Sequence, residues 1–199
     1  METKARPLRA DAERSIRTIM EAAERLLGEN PGATMEQIAE AAGVARTTIH
    51  RRFASREALV EIMTTAAWQE ISAAVEAARP HTAPPPVALH QATTNVLHIK
   101  SRWRFALSHV NPLSEEAASI QAEVMDKCDA LFLRAQEAGI LPPGTDLLWA
   151  RRVYLALLNE TCGPTSEEAA EPDPDPDTLA AQIIHTLLYG VTTRRPSAT

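Results

Sequence analysis

An all-α fold is predicted by three features of this 199-residue sequence. Alanine, the strongest helix former, occurs 35 times within an apolar fraction of 45 % that includes very few aromatics. Apolar residues recur at three- and four-residue spacing, and no segment alternates long enough to make a strand. Pro and Gly fall between the periodic stretches rather than inside them.

The elements follow in order. Ile16, Ile19, Met20, Ala23, Leu26 and Leu27 form one stripe and predict a helix over Ala10–Leu27, ended by Gly28, Pro31 and Gly32. Thr34-Met35-Glu36-Gln37 has the form of a capping box and opens a short helix, Met35–Ala42, that buries Ile38, Ala39 and Ala42. Gly43 ends it, since glycine takes the left-handed conformation at low cost. A third helix, Ala45–Arg52, turns Val44, Ile49 and Phe53 inward, and Ser55 caps a long fourth helix to about Ala78. Pro80 and Pro84-Pro85-Pro86 predict a stiff, extended connection. Further helices are expected over Val87–Lys100, Arg102–Val110, Glu115–Ala138, Leu147–Cys162 and Thr178–Val191, with Ser114, Asp146 and Asp177 as N-caps. Glu167–Asp177, acidic and punctuated by prolines, is expected to be mobile.

Charge separates two regions of different character. Residues 1–56 carry a net +2 and residues 57–199 a net −8. Between Val44 and Arg56 stand Arg46, Arg51, Arg52, Arg56 and His50 with no acid among them. A cationic head on an acidic body suits contact with a polyanion at one end only. The expected division is 1–54 as head and 55–199 as body. No segment offers the roughly 20 apolar residues of a membrane span, and the start lacks the apolar core of a signal peptide, so a cytoplasmic location is expected.

Residues 34–53 carry the function: a capped short helix, a glycine turn, then a short helix rich in Arg and Thr, the pattern of a helix-turn-helix. The second helix would show Arg46, Thr47, His50 and Arg51 to a major groove, where Arg can bond a guanine edge and Thr a thymine methyl or a phosphate. Thr34 suits a phosphate oxygen, and Arg56 could clamp the backbone on the far side. Lys4, Arg6 and Arg9 could form a basic arm ahead of the first helix, a frayed terminus being the alternative.

The stretch from Thr34 to Leu59, TMEQIAEAAGVARTTIHRRFASREAL, resembles the DNA-binding signature of the TetR family of transcriptional repressors. That resemblance implies a three-helix DNA-binding head, a body of six further helices that binds a ligand, and a homodimer formed by the last two helices, about nine helices in all. It places Thr34, Ala45, Arg46, Thr47, Thr48, His50, Arg51 and Arg56 at DNA-facing positions. His50 stands where relatives usually have Tyr, Ala45 where they have Ser or Thr, and Thr47 where they often have Gly or Pro.

The broad apolar arcs of the last two long helices suit either the centre of a core or a surface shared with a partner chain; given the helix-turn-helix, a dimer interface is expected to include Leu147, Val153, Leu157, Leu179, Ile183 and Leu187. An effector pocket is expected among Met63, Ala67, Thr94, Leu97, His98, Trp103, Phe105, His109, Met125, Cys128, Phe132 and Tyr154, with apolar walls and a few polar points. The reading is a homodimeric repressor on an inverted-repeat operator, released by a small, largely apolar effector and needing no cofactor. An enzyme is disfavoured: His50, His81, His90, His98, His109 and His185 show no catalytic spacing, and no phosphate-cradling glycine loop is present. Two alternatives remain: a metal or redox sensor using His98, His109 and Cys128, or Cys128 with Cys162, and a dimeric ligand carrier with a vestigial head.

Overall fold

In a computed structural model of the chain, residues 5–108, 112–161 and 175–190 are described, with side chains from residue 13 onward. These residues form helices α1 (Ala5–Glu29), α2 (Met35–Ala41), α3 (Arg46–Arg52), α4 (Arg56–Ala77), α5 (Pro85–Arg102), α6 (Arg104–Ser108), α7 (Glu115–Glu137), α8 (Leu147–Glu160) and α9 (Pro176–Tyr189), and no strand among them. The all-α expectation holds.

Contacts divide the chain into two compact units: residues 1–67 with 103–114, and residues 68–102 with 115–199. The division therefore differs from a cut at residue 54. The first half of α4 and the whole of α6 group with the head.

In the first unit, α1 packs on α2 and α6, and α2 on α3. Ile19, Ala23, Leu27, Ile38, Ile49, Leu59 and Met63 are fully buried there, as the helical stripes require. Ala42 and Val44 are only half-buried. α6 is gripped from two sides. The Glu24 carboxylate of α1 accepts the N–H of Phe105 (2.5 Å) and of Ala106 (3.1 Å), two first-turn donors without an intrahelical partner. Thr64 Oγ1 of α4 lies 3.0 Å from the carbonyl of Ala106 and 2.9 Å from that of Val60.

In the second unit, α5 packs on α9 and α7, α7 on α8, and α8 on α9. Leu89, Leu97, Val124, Leu131, Phe132, Tyr154, Leu158 and Ile183 form its core. The Tyr154 hydroxyl stands 2.9 Å from Thr93 Oγ1, and Thr93 donates to the Leu89 carbonyl at 2.7 Å. With its one proton committed there, Thr93 accepts from Tyr154. The rings of Phe132 and Tyr154 pack 5.6 Å apart, tilted by 59°.

Several local expectations change. The proline-rich connection is a compact turn, not an extended rod. Arg79 takes φ +52°, the N–H groups of Thr82 and Ala83 return to its carbonyl, and Arg134 donates to the carbonyls of Pro80 and Ala83. Pro85 opens α5, because a first helical residue needs no N–H partner. Asp175, not Asp177, caps α9 by accepting from the N–H of Asp177 and Thr178, with Pro176 as the first helical residue. Asp146 caps α8 and Ser55 accepts from the N–H of Ala58, as expected. Helix α1 begins at Ala5, so Arg6 and Arg9 lie on a helix rather than in an arm preceding it. Lys4, Cys162 and most of the acidic stretch, up to residue 174, lie outside the described residues.

Candidate nucleic-acid interface

The helix-turn-helix forms as its residues dictate. Thr34 Oγ1 accepts the N–H of Gln37 and Gln37 Oε1 accepts the N–H of Thr34, completing the capping box. Gly43 takes φ +66°, a left-handed conformation that a side chain would strain. Behind it, the Val44 N–H reaches the Ala39 carbonyl at 2.9 Å. Ile49 and Phe53 are buried at 0 % and 2 % exposure, which fixes the rotation of α3 and decides what its other side presents.

Arg46, Thr47, His50 and Arg51 are exposed, with Ala45 exposed at the N-cap and Thr48 half-buried. Thr34 is exposed at the start of α2. Its hydroxyl oxygen serves the capping box as an acceptor, and its proton can still donate outward. An open groove lies along Thr34, Glu36, Gln37, Glu40, Val44 and Arg46.

The guanidinium cluster is smaller than the sequence suggests. Arg52 is half-buried with its Nε enclosed. Arg56 is half-buried too. Its Nε donates to the Ala33 carbonyl at 3.2 Å and its Nη2 to the Pro31 carbonyl. Arg56 thus ties the start of α4 to the α1–α2 turn, whereas a clamp on DNA was expected. We expect Arg56→Ala to lower the melting temperature through loss of two hydrogen bonds of a charged donor, roughly 1.5–3 kcal/mol each. A drop in duplex affinity without any change in melting would restore the clamp.

Glu36 and Glu40 border this face with the opposite charge, and the contact made by Glu36 was missed. Glu36 Oε1 lies 3.4 Å from His50 Nε2. Its carboxyl is held below the ordinary range, first by its own backbone N–H, then by His50, with Arg46 adding to the effect. Glu36 also favours the start of α2 as an acid in the first turn, and that local role is the one its sequence position advertises.

Residues 19–63 match the model of the bacterial regulatory proteins of the tetR family. Over those residues the chain is similar to the DNA-binding part of that family. It is 28 % identical over 183 residues to the HTH-type transcriptional repressor LfrR of Mycolicibacterium smegmatis, across 91 % of this chain and 92 % of that protein. The crystal structure of LfrR in complex with proflavine superposes with a TM-score of 0.64 at 26 % identity, covering 91 % and 98 % of the two chains. PfmR of Thermus thermophilus shares the fold, with a TM-score of 0.74 at 20 % identity over 87 % and 98 %. These relatives are transcriptional regulators by name, and the exposed face of α3 is the candidate DNA-reading surface of this chain.

The expected effector residues divide between the units. Met63, Ala67, Trp103 and Phe105 are buried in the first. Thr94, Leu97, Phe132 and Tyr154 are buried in the second, where Cys128 and Met125 are half-buried. His98 is exposed, which removes it from a buried wall, and His109 lies outside the described residues. An apolar cleft between Leu89, Leu131, Phe132, Leu141, Leu187 and Leu188 encloses about 10 Å³, room for no more than about one water. A redox sensor is not supported: burial pushes the Cys128 thiol up to about 12, so the reactive thiolate is negligible at neutral pH.

Of the expected dimer residues, Ile183 is buried at 2 % within its own unit and belongs to the core. Leu147, Val153, Leu157, Leu179 and Leu187 are half-buried. The large apolar groups exposed on these helices are Leu148, Trp149 and Tyr189, which the wide apolar arcs had concealed among their neighbours. No helix among the described residues is long and apolar enough to cross a membrane.

Proposed function

We propose that this regulator is a homodimeric repressor that reads an inverted-repeat operator through Arg46, Thr47, His50 and Arg51, with Ala45, Thr48 and Thr34 against the flanking backbone, and that a small, largely apolar molecule releases it. The observation that carries the reading is the rigid presentation of α3. Ile49 and Phe53 anchor one side, and the other shows two exposed arginines, a threonine and a histidine. A single head reads only a few base pairs, so a two-fold dimer with heads one DNA turn apart supplies the specificity. Leu148, Trp149 and Tyr189, exposed on α8 and α9, are the surface such a dimer would cover.

The name and ligand of LfrR support the remaining parts. That relative is a transcriptional repressor, and its structure contains proflavine, a planar aromatic molecule.

The test uses the full chain and duplexes selected from a random pool. Sedimentation should show a dimer at micromolar concentration, and log affinity should fall linearly with log salt concentration. Proflavine is the first effector probe, with coupling of about 1–3 kcal/mol, or 5- to 150-fold in operator affinity. A monomer, or selection that enriches no duplex, overturns the reading. Proflavine that demonstrably binds without changing operator affinity removes release by this ligand type.

A further inference from the structure

Glu36 places a carboxylate on a face otherwise arranged for an anionic partner. Its side chain is 39 % exposed beside His50 at 49 %, and it borders the same groove as Arg46. An ionised carboxylate only accepts hydrogen bonds. The 3.4 Å contact therefore requires the proton on His50 Nε2, whatever the charge of the ring. Nδ1 alone is left to change state: an acceptor in the neutral ring, a donor in the imidazolium.

Helix α2 packs against α3, and Glu36 is the carboxylate it brings to the ring. Glu40 lies further along the same groove. Arg46, Arg51 and Arg52 are the charged groups on the histidine's own helix. Arg46 acts on Glu36 as well, so the acid is balanced by a permanent cation on one side and a titratable one on the other.

Resting on the duplex-binding reading above, we propose that Glu36 is a positioning residue that determines specificity: it holds His50 by its Nε2–H and makes the charge of the DNA-reading face depend on pH. With the ring protonated, His50 cancels Glu36 and turns Nδ1–H toward a phosphate. With the ring neutral, the carboxylate faces the duplex balanced by Arg46 alone and discourages binding to unrelated sequence.

The sign follows from linkage. Phosphate oxygens favour the charged ring, so the duplex-bound protein holds more protons than the free one. Affinity therefore rises as pH falls from about 8.5 to about 5.5, by at most about tenfold per pH unit for one proton. Glu36 stays ionised throughout that window, since its carboxyl is held low.

The experiment measures affinity for one selected duplex, and for one unrelated duplex, from pH 5.5 to 8.5 at fixed ionic strength. It compares the full chain with Glu36→Gln, Glu36→Asp and His50→Gln. For the unaltered chain, affinity for the selected duplex should fall about five- to tenfold between pH 6 and 8. His50→Gln and Glu36→Gln should each be flat within about twofold, and Glu36→Asp should recover part of the profile. At pH 8, Glu36→Gln should also bind the unrelated duplex several-fold more tightly, having lost a negative charge. Melting within about 2 °C of the unaltered chain would separate positioning from folding; a larger drop at Glu36→Gln would make the role structural and overturn the assignment. A full pH profile surviving in either glutamine variant, or a flat profile in the unaltered chain, also overturns it. Selection that retains no duplex overturns the duplex-binding reading and this inference together. A retained duplex with a flat profile overturns only the inference.

Discussion

Arg46→Ala lowers affinity for the preferred duplex by about 1–3 kcal/mol, or 5- to 150-fold, and relaxes base preference at one position of each half-site. The expectation comes from where the side chain stands. Arg46 is the first residue of α3, exposed, and follows an N-cap alanine that offers no hydroxyl of its own. The first turn of a recognition helix is the part that reaches base edges, and a guanidinium there can donate two parallel bonds to one guanine. Removing it costs unrelated duplexes no more than one phosphate contact. The measurement is anisotropy titration of the selected duplex and its single-base variants at fixed salt. Equal loss across all of them would reassign Arg46 to the backbone.

Glu24→Ala destabilises the first unit by about 2–4 kcal/mol, because it strips a charged acceptor from two buried N–H groups at once. Phe105 and Ala106 are 4 % and 0 % exposed, so water replaces the lost oxygens poorly. Glu24→Gln is nearly as damaging. Both carboxylate oxygens are in use, one for each N–H, and an amide would set an NH₂ against one of the donors. Urea unfolding should show a lower midpoint at unchanged slope. Hydrogen exchange should accelerate most at Phe105 and Ala106. A shift below about 0.5 kcal/mol would show that those two amides find other acceptors.

Local chemistry was legible in the sequence; distant partnership was not. The capping box at Thr34, the turn at Gly43 and the caps at Ser55 and Asp146 each depend on neighbours within a few residues. So does the inward side of α3, which is why its outward side could be named from spacing alone. Pro84-Pro85-Pro86 misled because consecutive prolines suit an extended rod and a helix start equally, and the fastening by Arg134 comes from 51 and 54 residues away. In the acidic run before α9, several aspartates could cap. Only the position of Pro176, which suits a first helical residue, singles out Asp175. Arg56 read as one more cation because its carbonyl partners lie 23 and 25 residues upstream. Glu24 drew no notice in the sequence, because its two partners lie 81 and 82 residues ahead. Glu36 stood only as an unremarked member of the capping-box stretch, because its partner His50 lies fourteen residues on.

The grip on α6 bears on how such regulators can be recombined. A hybrid made by transplanting residues 1–54 onto a foreign C-terminal portion would carry Glu24 away from its two amides and leave Thr64 and the 103–114 segment behind. The graft would begin with a buried carboxylate stripped of both amide donors. Exchanging operator preference between relatives therefore calls for moving two separate stretches of chain together, or for matching the acceptor on α1 to the recipient's own short helix.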